Sequence, residues 1–337
     1  MKKFTFAALA ALAISALPAS AADMVTKARP MMAPPPPPPW DIAFGSGIVS
    51  DYIFRGISQS NHQASVGAYF EPRYKVNPNL ELYVGMAGAS ISFPNRAAAE
   101  IDFYAGFRPT FGKLALDFGV FYYWYPGGTC FNANAPVSSF AACPFSDPVT
   151  FGLPINGNVI KSDLSFVEVY AKANYSVTDS FSIGATLFYS PSVLNSGADG
   201  LYVSGNAKYT FPAFPSGVQF YASGEVGHWD IGTSDAFYGT AIPSPLGGGP
   251  FPNGIPYVSY THWNVGVGFT YKVFTVEVRY SDTDLSQGDC NAFTSDQNAL
   301  FNGSFTPINP AGFGSNWCGQ RVYGKIAVDL TLNSNVK

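Results

Sequence analysis

The sequence predicts an all-β protein, a transmembrane antiparallel up-and-down β-barrel of about 12 strands. Three observations carry this prediction. Many stretches alternate apolar and polar residues, short connections alternate with long ones along the chain, and the chain begins with a segment typical of exported proteins.

The alternation is clearest between Arg321 and Leu332. Even-numbered positions there are nearly all apolar, whereas the odd-numbered ones include Lys325, Asp329 and Thr331. Because successive side chains of a strand point to opposite faces, this segment has one apolar and one charged face. A soluble sandwich shows the same pattern, so the choice of a barrel rests on the turns and on export.

Twelve strands are predicted, at 41–57, 63–76, 79–93, 99–110, 113–125, 163–176, 180–190, 199–211, 216–229, 257–272, 274–285 and 318–332. Connections after even-numbered strands are tight, and those after odd-numbered strands are mostly longer. Loops of about 25 residues or more are uncommon in compact soluble domains. Short turns at one end and long loops at the other are typical of bacterial outer-membrane barrels, with the short turns on the periplasmic side and the long loops extracellular.

One face of the predicted strands carries ten acidic and eight basic residues. An unpaired charge in a dry core costs several kcal/mol, so these side chains need water or cross-strand partners. The predicted partners are Glu100 and Asp102 with Arg108, and Glu277 with Arg279. We expect this face to line the lumen: Asp51, Arg55, Glu71, Arg73, Glu81, Glu100, Asp102, Arg108, Asp117, Glu168, Lys172, Lys208, Glu225, Glu277, Arg279, Arg321, Lys325 and Asp329.

The opposite, apolar face has aromatic residues near both strand ends and small or aliphatic residues between them. Two such belts are expected where rings lie at the two interfaces of a membrane. The low charged fraction, 12% against 16% aromatic residues, agrees with contact to lipid. We therefore expect membrane lipid and lipopolysaccharide as partners.

Residues 1–21 are predicted to be a signal peptide. Lys2 and Lys3 precede an apolar run that ends before Ala19-Ser20-Ala21, a small-residue cleavage site near Ala21. The alternative is a membrane anchor, but a membrane-spanning helix needs about 20 apolar residues and this run is shorter. Cleavage removes two lysines and makes the net charge of −4 more negative, which argues against a nucleic-acid partner.

Residues 22–40 are predicted to be a proline-rich periplasmic linker. Pro34 to Pro39 are six consecutive prolines, which favour a stiff polyproline II spacer. A docking motif for a proline-reading partner is the alternative. The barrel then spans 41–332 and a short C-terminal tail spans 333–337.

The four cysteines agree with export. Pairing by proximity gives disulfides Cys130–Cys143 and Cys290–Cys318, one of three possible connectivities. The spacing within each pair does not match a zinc site, so no metal or cofactor is expected.

Catalytic residues are sparse. The only imidazoles are His62, His228 and His262, and in the predicted register His228 faces lipid whereas His262 faces the lumen. A hydrolase at the barrel rim needs a positioned base and nucleophile, which these residues do not supply together. The protein is therefore not expected to be an enzyme.

Three blocks resemble the TorF family of proteobacterial porins. They are Ser50-Asp51-Tyr52-Ile53-Phe54-Arg55-Gly56-Ile57-Ser58, then Glu100 to Gly106 with Asp117-Phe118-Gly119 and Tyr125-Pro126-Gly127, and finally Phe166 to Tyr170. The resemblance is most specific over 46–127 and implies an outer-membrane barrel with a pore role. The loops at 126–162, 230–256 and 286–317 look longer than that family's, and no terminal aromatic residue ends the chain.

These observations predict an outer-membrane porin for passive diffusion of small hydrophilic solutes or ions. The segment 126–162 is the predicted infolding loop. One alternative is a non-conducting barrel that anchors or presents loops for surface contacts. A less favoured alternative is a hydrolase with its site at the barrel rim.

Overall fold

Twelve antiparallel strands close into a barrel in the computed structural model, which describes residues 38–132, 159–240 and 242–335. Each strand pairs with its neighbours along the chain, and the first pairs with the last to close the ring. The predicted fold class and strand number are confirmed. The strands are β1 Trp40–Val49, β2 Ser65–Asn77, β3 Leu80–Ala89, β4 Glu100–Phe111, β5 Leu114–Trp124, β6 Phe166–Ser176, β7 Phe181–Ser190, β8 Gly200–Thr210, β9 Gln219–Ile231, β10 Tyr260–Tyr271, β11 Phe274–Thr283 and β12 Arg321–Thr331.

Smaller elements lie in the connections. Helix α1 covers Gln287–Thr294 and α2 covers Leu332–Asn335, and single 3₁₀ turns cover Val193–Asn195 and Ala236–Tyr238. Two-residue strands pair as Ile53–Phe54 with Ile57–Ser58, Phe131–Asn132 with Val159–Ile160, and Leu300–Phe301 with Phe313–Gly314. Within the described ranges, no helix has the length and apolar character needed to cross a membrane.

The two faces of the barrel are inverted relative to a soluble core. Val84 and Val267 on the outer face are 57% and 61% exposed, whereas Glu71 and Glu168 on the inner face are fully buried. A soluble protein would hide the valines and solvate the carboxylates, because burying apolar surface drives folding in water. The exposed apolar wall therefore needs a partner other than water.

Several inward tyrosines lie flat on glycines of the neighbouring strand. A Cβ added to Gly106 of β4 would lie 2.4 Å from the Tyr83 hydroxyl and 2.3 Å from the Phe118 carbonyl oxygen. A Cβ on Gly85 would lie 2.3 Å from the Tyr104 ring. These glycines make room for aromatic side chains on the inner wall, which agrees with their role in close approach within sheets.

We predict that Gly106→Ala destabilises the barrel by about 1–3 kcal/mol, since the new methyl group has no space. The matched control is Gly205→Ala in β8, where the nearest atom to an added Cβ is a carbonyl oxygen 4.0 Å away. Urea unfolding in lipid vesicles measures both variants. Equal midpoints for the two variants would contradict this packing of tyrosine on glycine.

The first strand is shorter than predicted. It ends at Val49 rather than at residue 57, and residues 50–64, here called the inward hairpin, leave the wall. Arg55 and Gly56 form its tip with φ values of 48° and 83°. Positive φ at both central residues is the signature of a type I′ turn, which joins two antiparallel strands tightly. The chain therefore reverses at Arg55-Gly56 instead of continuing as β1.

The disulfide Cys290–Cys318 is present and ties α1 to the start of β12. The predicted Cys130–Cys143 bond and most of the predicted infolding segment 126–162 lie outside the described residues, as do the signal peptide and nearly all of the linker. Among the described loops, the segment that folds into the barrel is the inward hairpin.

Candidate functional site

The inward hairpin crosses the bore just inside the long-loop mouth. Both terminal nitrogens of Arg55 donate to the Glu168 carboxylate of β6, at 2.9 and 2.8 Å. Strand β6 lies five strands from β1 around a ring of twelve, nearly opposite it. The Tyr260 hydroxyl of β10 donates to the Arg55 carbonyl oxygen at 2.9 Å. The hairpin tip is thus attached to the far wall.

The Arg55 guanidinium lies among aromatic rings. Its central carbon is 4.3 Å from the ring centroids of Tyr202 and Trp229 and 5.1 Å from that of Phe188. The side chain is 3% exposed and its partner Glu168 is 1% exposed. Here the cage denotes Phe188, Tyr202, Trp229 and Glu168. It combines cation–π attraction with a bidentate ion pair.

The base of the hairpin is fixed by Asp51. Its carboxylate accepts from the Ser58 hydroxyl at 2.6 Å and contacts His62 Nδ1 at 2.8 Å and Arg321 of β12 at 3.4 Å. The last loop adds a second attachment, because the Ser58 amide donates to the Trp317 carbonyl oxygen at 2.9 Å. Trp317 precedes the disulfide cysteine Cys318, so the covalently closed loop holds the hairpin.

Two buried acids flank the stem. Glu100 accepts from the hydroxyls of Tyr52 and Tyr125, at 2.6 and 2.8 Å. Burial, followed by the nearby Glu100 charge, raises the pKa of Tyr52 and of Tyr125 well above the usual value, so both remain donors. Asp102 is 1% exposed, and its Oδ1 has no hydrogen-bond partner.

The hairpin holds an unfavourable backbone. Arg55, Asn61 and His62 have φ values of 48°, 51° and 59°. The left-handed conformation costs a residue such as Arg55 of order 1–3 kcal/mol, whereas asparagine and histidine adopt it more readily. The contacts to β4, β6, β10 and β12 hold the hairpin in this conformation.

Below the hairpin, one wall carries a charge network from β2 to β5. Arg108 binds Glu71 at 2.8 Å, Glu81 at 3.2 Å and Asp117 at 3.3 Å, and Arg73 binds Glu71 at 2.5 Å. Arg108 reaches Glu71 past strand β3, so these side chains meet inside the ring. The sequence analysis predicted that Arg108 pairs with Glu100 and Asp102. In the structure its partners are instead Glu71, Glu81 and Asp117.

The other wall carries a second network on β9 to β11. Arg279 lies 3.3 Å from Glu277 and donates to Ser223 at 2.9 Å. Glu277 accepts from the Tyr221 hydroxyl at 2.5 Å. Glu225 accepts from the Tyr202 hydroxyl at 3.0 Å, which links this network to the cage. Glu277 and Arg279 therefore pair, but both lie on β11, so the pair is within one strand and not across two as predicted.

The remaining predicted lumen residues are distributed along the bore. Lys172 and Lys208 lie over the rings of Tyr170 and Tyr221, 4.5 and 4.1 Å from the centroids. Lys325 faces Glu277 in the strand register, and Asp329 accepts from Tyr69. Asp51 and Arg55 belong to the hairpin rather than to a strand. A role of this set in a pore remains a prediction.

Exposure changes along the bore. At the mouth Trp229 and Tyr260 are 2% and 1% exposed, and an aromatic-lined cavity of about 50 Å³ separates the hairpin from the outer loops. Toward the short turns, Lys172 and Lys208 are half-buried and Asn206 is exposed. Water therefore reaches these parts of the inner wall below the hairpin, whereas the described hairpin and loop residues at the mouth are buried.

Sequence reasoning missed the cage and the hairpin. Tyr202 and Trp229 share the alternation phase of Lys208 and Glu225, which was the available signal for their inward position. For the hairpin the sequence signal was weaker: Gly56, between Arg55 and Ile57, is a residue type that favours a turn. His228 is exposed on the outer face and His262 is buried on the inner face, so these two imidazoles do not converge.

A family model described as a bacterial protein of unknown function, Gcw_chp, matches residues 34–238, more than half of the chain. The chain belongs to the Gcw_chp family. The match covers β1 to β9 and therefore includes the inward hairpin and every member of the cage. A search of curated proteins found no match.

Similar solved structures include outer-membrane proteins. An outer membrane channel from Pseudomonas putida F1 has a TM-score of 0.42 at 10% identity, covering 89% of this chain and 100% of that chain. The NanC porin has a TM-score of 0.41 at 8% identity, covering 86% and 98%. The KdgM porin has a TM-score of 0.38 at 10% identity, covering 86% and 97%. Likeness at this level carries no argument about function.

Proposed function

We propose that the protein is an outer-membrane channel for passive diffusion of small hydrophilic solutes or ions. The observation that carries the proposal is the inverted barrel, with an exposed apolar wall and an inner wall of charged and hydroxyl side chains. Such a wall suits lipid outside and water inside. The signal peptide, periplasmic short turns, extracellular long loops and lipopolysaccharide contact belong to the same proposal, as does membership of the TorF porin group.

The proposal includes a closed conformation. The inward hairpin crosses the bore, and its ion pair with Glu168 is almost completely buried. Conduction then requires the hairpin to leave the far wall, as a gate held by specific contacts. No catalytic role is proposed: His228 and His262 lie on opposite faces of the wall, and His62 is bound by Asp51 at the base of the hairpin.

The second candidate is a non-conducting barrel that anchors or presents loops for surface contacts. The same sealed mouth favours it, since the last loop and its disulfide hold the hairpin in place. The two candidates differ in whether the hairpin leaves the bore.

Single-channel recording of the refolded mature protein in a planar bilayer tests the proposal. We expect discrete, infrequent current steps, and a reversal potential under a salt gradient that reports the ion preference. Gel mobility with and without boiling verifies that the barrel is folded. A folded barrel that stays silent, including after loss of the hairpin, supports the non-conducting candidate.

A further inference from the structure

The cage is built like a receptor for an organic cation. Three aromatic rings from β7, β8 and β9 surround the guanidinium, and Glu168 of β6 binds it through two parallel hydrogen bonds. Aromatic rings with a carboxylate are the means by which proteins bind guanidinium and quaternary ammonium groups. All four cage residues belong to the barrel wall, so the receptor does not depend on the hairpin that fills it.

The Arg55 side chain that fills the cage belongs to a strained turn. Arg55 is held at a φ of 48° at the tip of a two-residue turn, and the hairpin contributes only Phe54, at 4.7 Å, to the rings around it. Because Arg55 itself is held at this strained φ, its side chain competes less well than its ion pair alone would suggest. A free cation binds the wall without that backbone cost.

The surrounding charge favours a cation. Near the hairpin, Glu168 pairs with Arg55 and Asp51 pairs with Arg321. If Arg55 leaves, the buried Glu168 carboxylate loses its cationic partner, and its negative charge attracts a positively charged solute.

The same wall also holds a second cation against its aromatic rings. The Lys172 ammonium lies 5.2 Å from the Phe188 centroid and 4.5 Å from that of Tyr170, below the cage. Cation–π contact is therefore a repeated feature of β6 and β7 and is not confined to the hairpin tip.

We infer that the cage is the recognition site for the solute, that the solute is a small organic cation with a guanidinium or similar group, and that Arg55 occupies the site as a tethered mimic. An incoming cation takes the place of Arg55 on Glu168 and the rings, and the hairpin leaves the bore. This inference rests on the proposed channel function and names its substrate class.

The test uses methylguanidinium and its neutral isostere methylurea on the full-length mature barrel in detergent, measured by titration calorimetry. Arg55→Ala empties the cage, and we expect it to bind methylguanidinium at least about tenfold more tightly than methylurea, given the strength of buried cation–π contacts. Adding Glu168→Gln to this variant should abolish the preference. Arg55→Gln, which keeps the side-chain length without the charge, serves if Arg55→Ala does not fold.

Arg73→Ala is the control, because Arg73 also binds a buried glutamate, but no aromatic ring among the described residues lies over its guanidinium and Glu71 keeps Arg108 as a partner. We expect no saturable methylguanidinium binding there. Equal binding of the two probes by the emptied cage, or equal binding of methylguanidinium by the control, overturns the inference.

Conductance separates this inference from the function on which it rests. In the wild-type protein methylguanidinium should raise the frequency of opening and methylurea should not. A barrel that conducts but ignores methylguanidinium overturns the inference and keeps the channel. A barrel that binds methylguanidinium in the emptied cage but never conducts keeps the receptor and overturns the channel function.

Discussion

Replacing residues 52–60 by a short glycine–serine linker should open the barrel. This change removes the Arg55–Glu168 ion pair and the Tyr260 contact together, and with them every contact of the hairpin tip to the far wall. With the hairpin absent, the proposed closed state no longer exists, so the open fraction should rise on the order of 100-fold, from about 1% to nearly complete opening. Single-channel recording under identical salt measures the change.

The control for this deletion is the loop tip at 245–249. It lies outside the bore, with Leu246 68% exposed, and its removal should leave conductance unchanged. If the hairpin variant is folded by gel mobility and still silent, the bore is closed by something else and the non-conducting candidate gains support.

Glu168→Ala should cause the largest loss of stability among single substitutions in the site. It leaves the Arg55 charge buried, 3% exposed, among rings without its carboxylate. Breaking one partner of a buried pair costs about 3–5 kcal/mol. The variant should unfold at lower urea, or its hairpin should leave the bore and conductance should rise.

A double-mutant cycle with Arg55→Ala separates these effects. The double variant should recover part of the stability, because it no longer holds an uncompensated charge. The control is Glu81→Ala, because the Glu81 side chain is 21% exposed and lies 3.2 Å from Arg108. Its free energy of unfolding should fall by less than about 1 kcal/mol. Equal losses of stability in the Glu81 and Glu168 variants would contradict the idea that the buried Arg55–Glu168 ion pair holds the hairpin.

Most strand positions could be read from the sequence. A strand alternates side chains with a period of two, and the alternation at β4, β8 or β12 needs no knowledge of distant residues. The tight turns after even-numbered strands carry local signals as well. The charged face is local information too, which is why Glu71, Glu168 and Arg279 were placed on one face before their partners were known.

The inward hairpin was missed because its sequence also fits a strand. Tyr52 and Phe54 continue the even-numbered apolar positions of β1, so the alternation extends past Val49. The turn at Arg55-Gly56 has arginine at the position before glycine where type I′ turns usually have asparagine or aspartate. The contacts that hold the tip of the reversal come from β6 and β10, more than 100 residues away along the chain.

The sequence by itself determined the closed antiparallel barrel of twelve strands and the residues that share its charged face, because both depend on local periodicity and turn chemistry. The tertiary structure decided the partner of each charge, the hairpin across the bore, and the gathering of Phe188, Tyr202, Trp229 and Glu168 around Arg55. Those features depend on which strands face each other across a closed ring, and that proximity exists only after the ring closes.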